Sequence, residues 1–244
     1  MHKVLAILGA AACLISACSP AVPAVQTSPV APRTLTIQLS PEVNWLRLDL
    51  NACADEQNLT LLVSSAADQN LDFTLADITF SWNDQIAADS QAFEIGQDRL
   101  AVVVHPGNQL TNISTEQLAA IYQGEVTTWD QLEEGLPAET IHFWTTSSED
   151  STRQLFEKEM AGILKIDGEA SLAPHAEQMR TAISQDALGI GFLPARWVDA
   201  TIREVTLTDG TVVEKPIVAQ TAGQPDQDEQ IFLGCLTKLL SPAS

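Results

Sequence analysis

Basic residues are scarce in this chain. Lys plus Arg number 12 against 32 Asp plus Glu, for a formal charge of −20 over 244 residues. No Lys/Arg-rich run and no basic face can be drawn from it, so nucleic acid is not expected as a partner. The acidity does not exclude a small anion, because local hydrogen bonds can hold one against the overall field. Histidine is also sparse. His105, His142 and His175 stand far apart and none shares a metal-type spacing with a Cys or another His, so no metal is expected. There is no Gly-x-Ser-x-Gly elbow, no phosphate loop and no dinucleotide fingerprint. The adjacent acids Glu133 and Glu134 read as a solvated helix end rather than an acid/base pair. Neither an enzyme nor a cofactor is expected. Long apolar runs are missing too, and none reaches the ~18 residues of a membrane-spanning helix.

One shorter apolar run is present, at the start. His2 and Lys3 precede residues 4–15, which fit the core of a secretory signal. The run ends in Ile15-Ser16-Ala17-Cys18. Small residues before a cysteine resemble the bacterial lipobox, in which the cysteine is acylated and becomes the first mature residue. The competing reading is ordinary cleavage near Ala17 with Cys18 incidental. Residues 18–33 then form a tether with four prolines, extended at ~3 Å per residue. The expected location is extracytoplasmic, with a lipid anchor as the only membrane attachment. With Cys13 lost and Cys18 acylated, Cys53 and Cys235 remain as an even pair in an oxidising compartment. Each lies in a helical pattern. A disulfide would tie the first helix to the last, and two buried thiols are the alternative.

From residue 34 onward, short apolar strands alternate with helical patterns. Strands are expected at 34–39, 59–63, 76–80, 99–104, 139–144, 188–193 and 202–207. Helices are expected from Pro41 to Cys53, from a Ser114/Gln117 capping box to Tyr122, over 151–160, over 174–184 and over 228–240. Such alternation implies an α/β fold with largely parallel sheets. The number of units suits two lobes rather than one.

The stretch LAVVVHPGNQLTNISTEQLAAIYQGEVTTWDQL, residues 100–132, resembles the phosphate-binding proteins of bacterial ABC importers and their wider solute-binding superfamily. The matching features are a strand leading to His105-Pro106, a helix closing in Tyr122-Gln123-Gly124, and Thr128-Trp129. Further on, Asp150-Ser151-Thr152-Arg153 with Phe156 stands where that family carries Ser-Gly-Thr-Arg. Ala187-Leu188-Gly189-Ile190-Gly191-Phe192 is similar to its Ala-Ile-Gly-Tyr strand. The resemblance implies the type II periplasmic-binding-protein fold: two α/β lobes joined by two crossing segments, with ligand in the cleft. Lobe one would be 34–103 plus 212–244 and lobe two 104–211, with crossings near 103–105 and 208–213. It also implies a monomer that binds phosphate or a related oxyanion and hands it to an ABC permease.

The richest candidate site is TTSSEDSTRQLF, residues 145–156, with six hydroxyls in its first eight positions. Capping a helix needs only one of Ser147, Ser148 or Asp150. The rest fit a turn aimed at the cleft, where a helix start, neutral hydroxyls and Arg153 would hold an oxyanion. The candidate ligand residues are Ser148, Asp150, Ser151, Thr152 and Arg153 on one jaw and Ser40, Ser81 and Trp82 on the other. Asp150 and Ser151 replace the family's serine and glycine. A carboxylate there either caps the helix or accepts a hydrogen bond from an oxyanion that keeps a proton. Trp82 stands where phosphate binders place an aspartate, with Asp84 two residues on. A different function on the same fold is a sensory or protein-docking lipoprotein.

Overall fold

The computed structural model describes residues 32–82, 86–162, 165–166 and 169–241. The signal segment, Cys18, nearly all of the tether and Asp84 lie outside the described residues. No described helix is long and apolar enough to cross a membrane.

The strands are β1 (Thr34–Leu39), β2 (Thr60–Ser65), β3 (Ile78–Ser81), β4 (Gln91–Val104), β5 (Asn112–Ile113), β6 (His142–Thr145), β7 (Ser171–Leu172), β8 (Gly189–Pro194), β9 (Arg203–Leu207) and β10 (Glu214–Thr221). The helices are α1 (Arg47–Glu56), α2 (Thr115–Tyr122), α3 (Ser151–Leu155), α4 (Ala176–Gln185) and α5 (Gln227–Leu240). The fold is α/β and two-lobed. In lobe one the strand order is β2-β1-β3-β10-β4, with β1 parallel to β2 and β3, and β10 antiparallel to β3 and β4. In lobe two the far half of β4 lies between β8 and β9, antiparallel to both. β6 and β7 follow β8 in parallel, and β5 pairs with β9.

β4 therefore serves both lobes. Glu214 of β10 is opposite Arg99, and Pro194 of β8 is opposite Leu100. The change of partner falls at 99–100, a few residues before the crossing read from the sequence. That reading began the strand at Arg99 and did not take the more polar QAFEIGQD, residues 91–98, as a strand. Pairing with β10 makes it one, since a sheet with one solvated face tolerates alternating polar residues. Residues 208–213 lead from β9 into β10.

Local chemistry explains most elements. Ser114 Oγ accepts from Gln117 N while the Gln117 side chain accepts from Ser114 N, so the capping box starts α2. Gly124 ends it at φ 76°, a conformation that favours glycine. The first helix departs from expectation, because Pro41–Leu46 winds as a tighter 3₁₀ segment before α1 begins. Its inward residues Val43, Leu46, Leu50 and Cys53 are all buried in the lobe-one core. The expected disulfide is present. Cys53 and Cys235 are bonded, with Cα atoms 5.9 Å apart, and they join α1 to α5. In lobe two, Phe156 stacks on Phe192 with centroids 3.9 Å apart, and Tyr122 donates its hydroxyl to Trp144 O at 3.0 Å. Gly191 lets α4 approach β8, since a Cβ there would sit 2.5 Å from Met179 Sδ.

Candidate functional site

In open α/β sheets, ligands bind outside the carboxyl ends of the strands. Ser40 follows β1, Ser81 ends β3 and Thr146 follows β6, and the Ser40 amide donates to Phe80 O at 2.9 Å. The segment after β1 meets the segment after β6 across the lobes. Ser151 Oγ donates to Glu42 Oε1 at 2.9 Å, and Trp197 Nε1 donates to the Glu42 carbonyl at 2.8 Å. Further along, Lys215 of β10 pairs with Glu159 at 3.2 Å.

Two spaces open between these walls. The inner one holds about 170 Å³ and is lined by Glu42, Asp68, Asp150, Ser151 and His175 among others. The outer one holds about 660 Å³ and shares Asp68, Glu149 and Ser151 with the first. It adds Ser148, Lys158, Glu159 and Lys215. Glu42 is only 3% exposed, and the hydroxyls of Ser151 and Ser40 face its carboxyl. Burial, followed by the charges of Asp150 and Asp68, pushes its carboxyl up to about 7. His175 Nδ1 lies 4.0 Å from Asp150 Oδ2, and that contact raises its pKa.

The eight residues picked out by sequence fall into different settings. Asp150 is buried and its Oδ1 accepts from Thr152 N at 2.9 Å, so the carboxylate itself occupies the start of α3. Thr152 is buried behind it, while Ser151 lines both spaces. Ser148 is exposed on the outer space. Arg153 points its Nε to Glu157 at 2.8 Å and its Nη1 to Thr146 O at 3.3 Å. Ser40 and Ser81 are buried; the Ser40 hydroxyl faces the Glu42 carboxyl, and the Ser81 hydroxyl has no partner. Trp82 is fully buried where the lobes join, its Nε1 donating to Asp98 O and Lys215 O at 3.2 and 3.1 Å. The sequence reading missed Glu42, Asp68, His175, Lys158 and Lys215, and it held Thr146 in the hydroxyl-rich stretch without picking it out. Glu42 looked like an ordinary acid in a helix's first turn. His175 had no neighbour in sequence to mark it. Their proximity depends on how the two lobes meet.

The model of the PBP superfamily domain matches residues 57–230. The chain belongs to that superfamily. Among solved structures, this PBP-superfamily chain is similar to a putative phosphate ABC transporter substrate-binding protein with bound phosphate from Clostridium perfringens. Identity is 15%, with 84% of this chain and 93% of that one covered and a TM-score of 0.71. An ABC-type phosphate transport receptor from Vibrio cholerae matches at 20% identity, 83% and 93% coverage and a TM-score of 0.59. The reduced OxyR regulatory domain from Pseudomonas aeruginosa matches at 11% identity, 85% and 98% coverage and a TM-score of 0.64. At such identities the likeness is one of fold. No curated protein matches the sequence.

Proposed function

We propose that this chain is an extracytoplasmic solute-binding lipoprotein of an ABC importer. It is tethered through Cys18 and the Pro-rich segment, acts as a monomer, and binds phosphate or a related oxyanion between its lobes. It performs no covalent chemistry. The lobes hinge at β4 and at 208–213, and closure on the ligand creates the form a permease recognises. One observation carries the ligand class. The hydroxyls of Ser40, Ser81 and Thr146 are buried at three strand ends, and apart from the Glu42 carboxyl near Ser40 they have no partner. Ser40 and Thr146 immediately precede Pro41 and Ser147, which line the inner space. A buried donor left unmade costs about 1–3 kcal/mol, and an oxygen-rich ligand satisfies several at once. Neutral donors hold an anion without requiring a basic protein. The carboxylates of Glu42 and Asp150 restrict the choice to an oxyanion that keeps a proton for them to accept.

The test is thermal unfolding of the full chain in detergent, stripped of ligand by unfolding and refolding. Phosphate, sulfate, molybdate and tungstate would be compared. A ligand at 100 times its Kd adds ~2.7 kcal/mol, a shift of several degrees. A shift lost in Ser40→Ala and in Thr146→Val supports the reading, and no shift with any anion refutes it. The likeness to a regulatory domain supports a second reading, a sensory or protein-docking lipoprotein on the same fold. A protein partner bound without any small solute would favour that one.

A further inference from the structure

Lobe two holds Glu42 at two points. The Glu42 carboxyl accepts from Ser151 Oγ at 2.9 Å, at the start of α3. Its main-chain carbonyl accepts from Trp197 Nε1 at 2.8 Å, in a buried hydrogen bond. Ser151 lines both solute spaces, whereas Trp197 and its neighbour Arg196 line neither. The second contact therefore joins the lobes without touching a solute between them.

Trp197 closes a short 3₁₀ turn, Ala195–Trp197, directly after β8. On its own side, Arg180 of α4 lies 5.6 Å from the Trp197 ring centroid and pairs with Asp199 at 3.0 Å, which fixes the indole within lobe two. Toward lobe one, the Arg196 guanidinium lies 5.0 Å from the ring centroid of Trp45, on the same 3₁₀ segment as Glu42. The Arg196 amide donates to the buried Asp98 at 3.3 Å, beside the change of partner in β4. Trp45 packs both on the main core and on the smaller apolar cluster that holds Trp197. The segment that follows Ser40 is thus gripped from behind by a hydrogen bond and a cation over an aromatic face. Contacts of these two kinds each shift an equilibrium by roughly twofold to tenfold.

We propose that Trp197 and Arg196 are positioning residues for the solute site. They dock Pro41–Leu46 onto lobe two, and so set Ser40 opposite Thr146 and Ser151. These contacts form only when the lobes dock. They lower the cost of closure and raise the affinity of every solute by one common factor. They do not choose between solutes. The inference rests on the oxyanion-solute reading above and concerns how that site is assembled.

Two measurements on the full chain in detergent test it. The first is isothermal titration with phosphate, sulfate, molybdate and tungstate. Trp197→Phe keeps an aromatic ring and loses the N–H, and it weakens every anion that the wild type binds by the same factor, about fivefold. Arg196→Met keeps the stem and the amide and loses the cation, and it does the same by about threefold. The second measurement is the distance between spin labels at Gln69→Cys and Gln154→Cys, which line the outer space from opposite lobes, taken without solute. Each variant moves population from the short distance to the long one. A role in folding alone would lower Tm and leave that distribution as it is in the wild type. Arg196 is exposed, so Arg196→Met decides the matter if Trp197→Phe fails to fold. An unchanged distribution overturns the inference. So does a loss of affinity confined to one anion, or a shifted distribution with wild-type affinity. Binding of none of the four anions refutes the solute reading instead, and the distances alone then decide whether the pair docks the lobes.

Discussion

Replacing Glu42 with glutamine should make the protein more stable, and more so as pH rises. The carboxyl ordinarily titrates at 4.5 and is pushed up to about 7 in the folded state, chiefly by burial. Between those values the folded chain keeps a proton that the unfolded chain has lost. Stability therefore falls as pH rises through that window and levels off above about 7. At about 1.36 kcal/mol per pH unit, the gap from 4.5 to about 7 amounts to roughly 3 kcal/mol. Glutamine has no proton to lose, and it still offers Ser151 an oxygen. Wild type and Glu42→Gln should thus unfold together below about pH 4.5. The variant should then gain to roughly 3 kcal/mol above about pH 7, or roughly 6–12 °C in Tm for a chain of this size. Asp98, pushed up to about 6 by burial, imposes a similar fall at lower pH on both proteins and cancels in the difference. His175 cancels largely as well, since Asp150 raises it more than Glu42 does. Urea unfolding from about pH 4 to about pH 8 provides the measurement. Parallel profiles, or a variant less stable at the alkaline end, would refute the account of Glu42 as a buried, strained carboxylate.

Three further results follow from the packing. Reducing Cys53–Cys235 opens a cross-link between residues 182 apart, worth about 5 kcal/mol in the chain-entropy limit and about 2–4 in practice. Tm should drop by roughly 10 °C with reductant, and an unchanged Tm would show that the bond contributes nothing to stability. Gly191→Ala should cost ~1–3 kcal/mol by driving a methyl into Met179, and a Met179→Ala background should absorb part of that cost, as a double-mutant cycle would reveal. Asp150→Asn keeps a good N-cap on α3 and removes a charge beside Glu42, so the pH-dependent loss of stability should move to lower pH. Asp150→Ala should show the same move together with ~1 kcal/mol of lost capping.

Several features were legible in the sequence for identifiable reasons. The capping box of α2 and its glycine stop are local devices that need only adjacent residues. The apolar half of β4 and the LGIGFL run of β8 announce buried strands by composition. The cysteine pair was legible once Cys13 had been assigned to the leader and Cys18 to the lipid anchor. The polar half of β4 was not, because its strand character comes from pairing with β10, 115 residues away in sequence at the register Arg99 opposite Glu214.

The candidate site divides in the same way. By itself the sequence determined a two-lobed α/β chain of strong negative charge, with a hydroxyl-rich turn ahead of α3 and a helix cap within it. Only the tertiary structure decided what that turn faces. Closure brings Glu42 from one lobe onto Ser151 from the other, 109 residues apart, beside Asp68 and Asp150. It also turns Arg153 onto Glu157 and seats Trp82 where the lobes join. Periodicity and capping act over a few residues. The character of a cleft depends on which distant side chains share one low-dielectric space, and the docking of the lobes sets that.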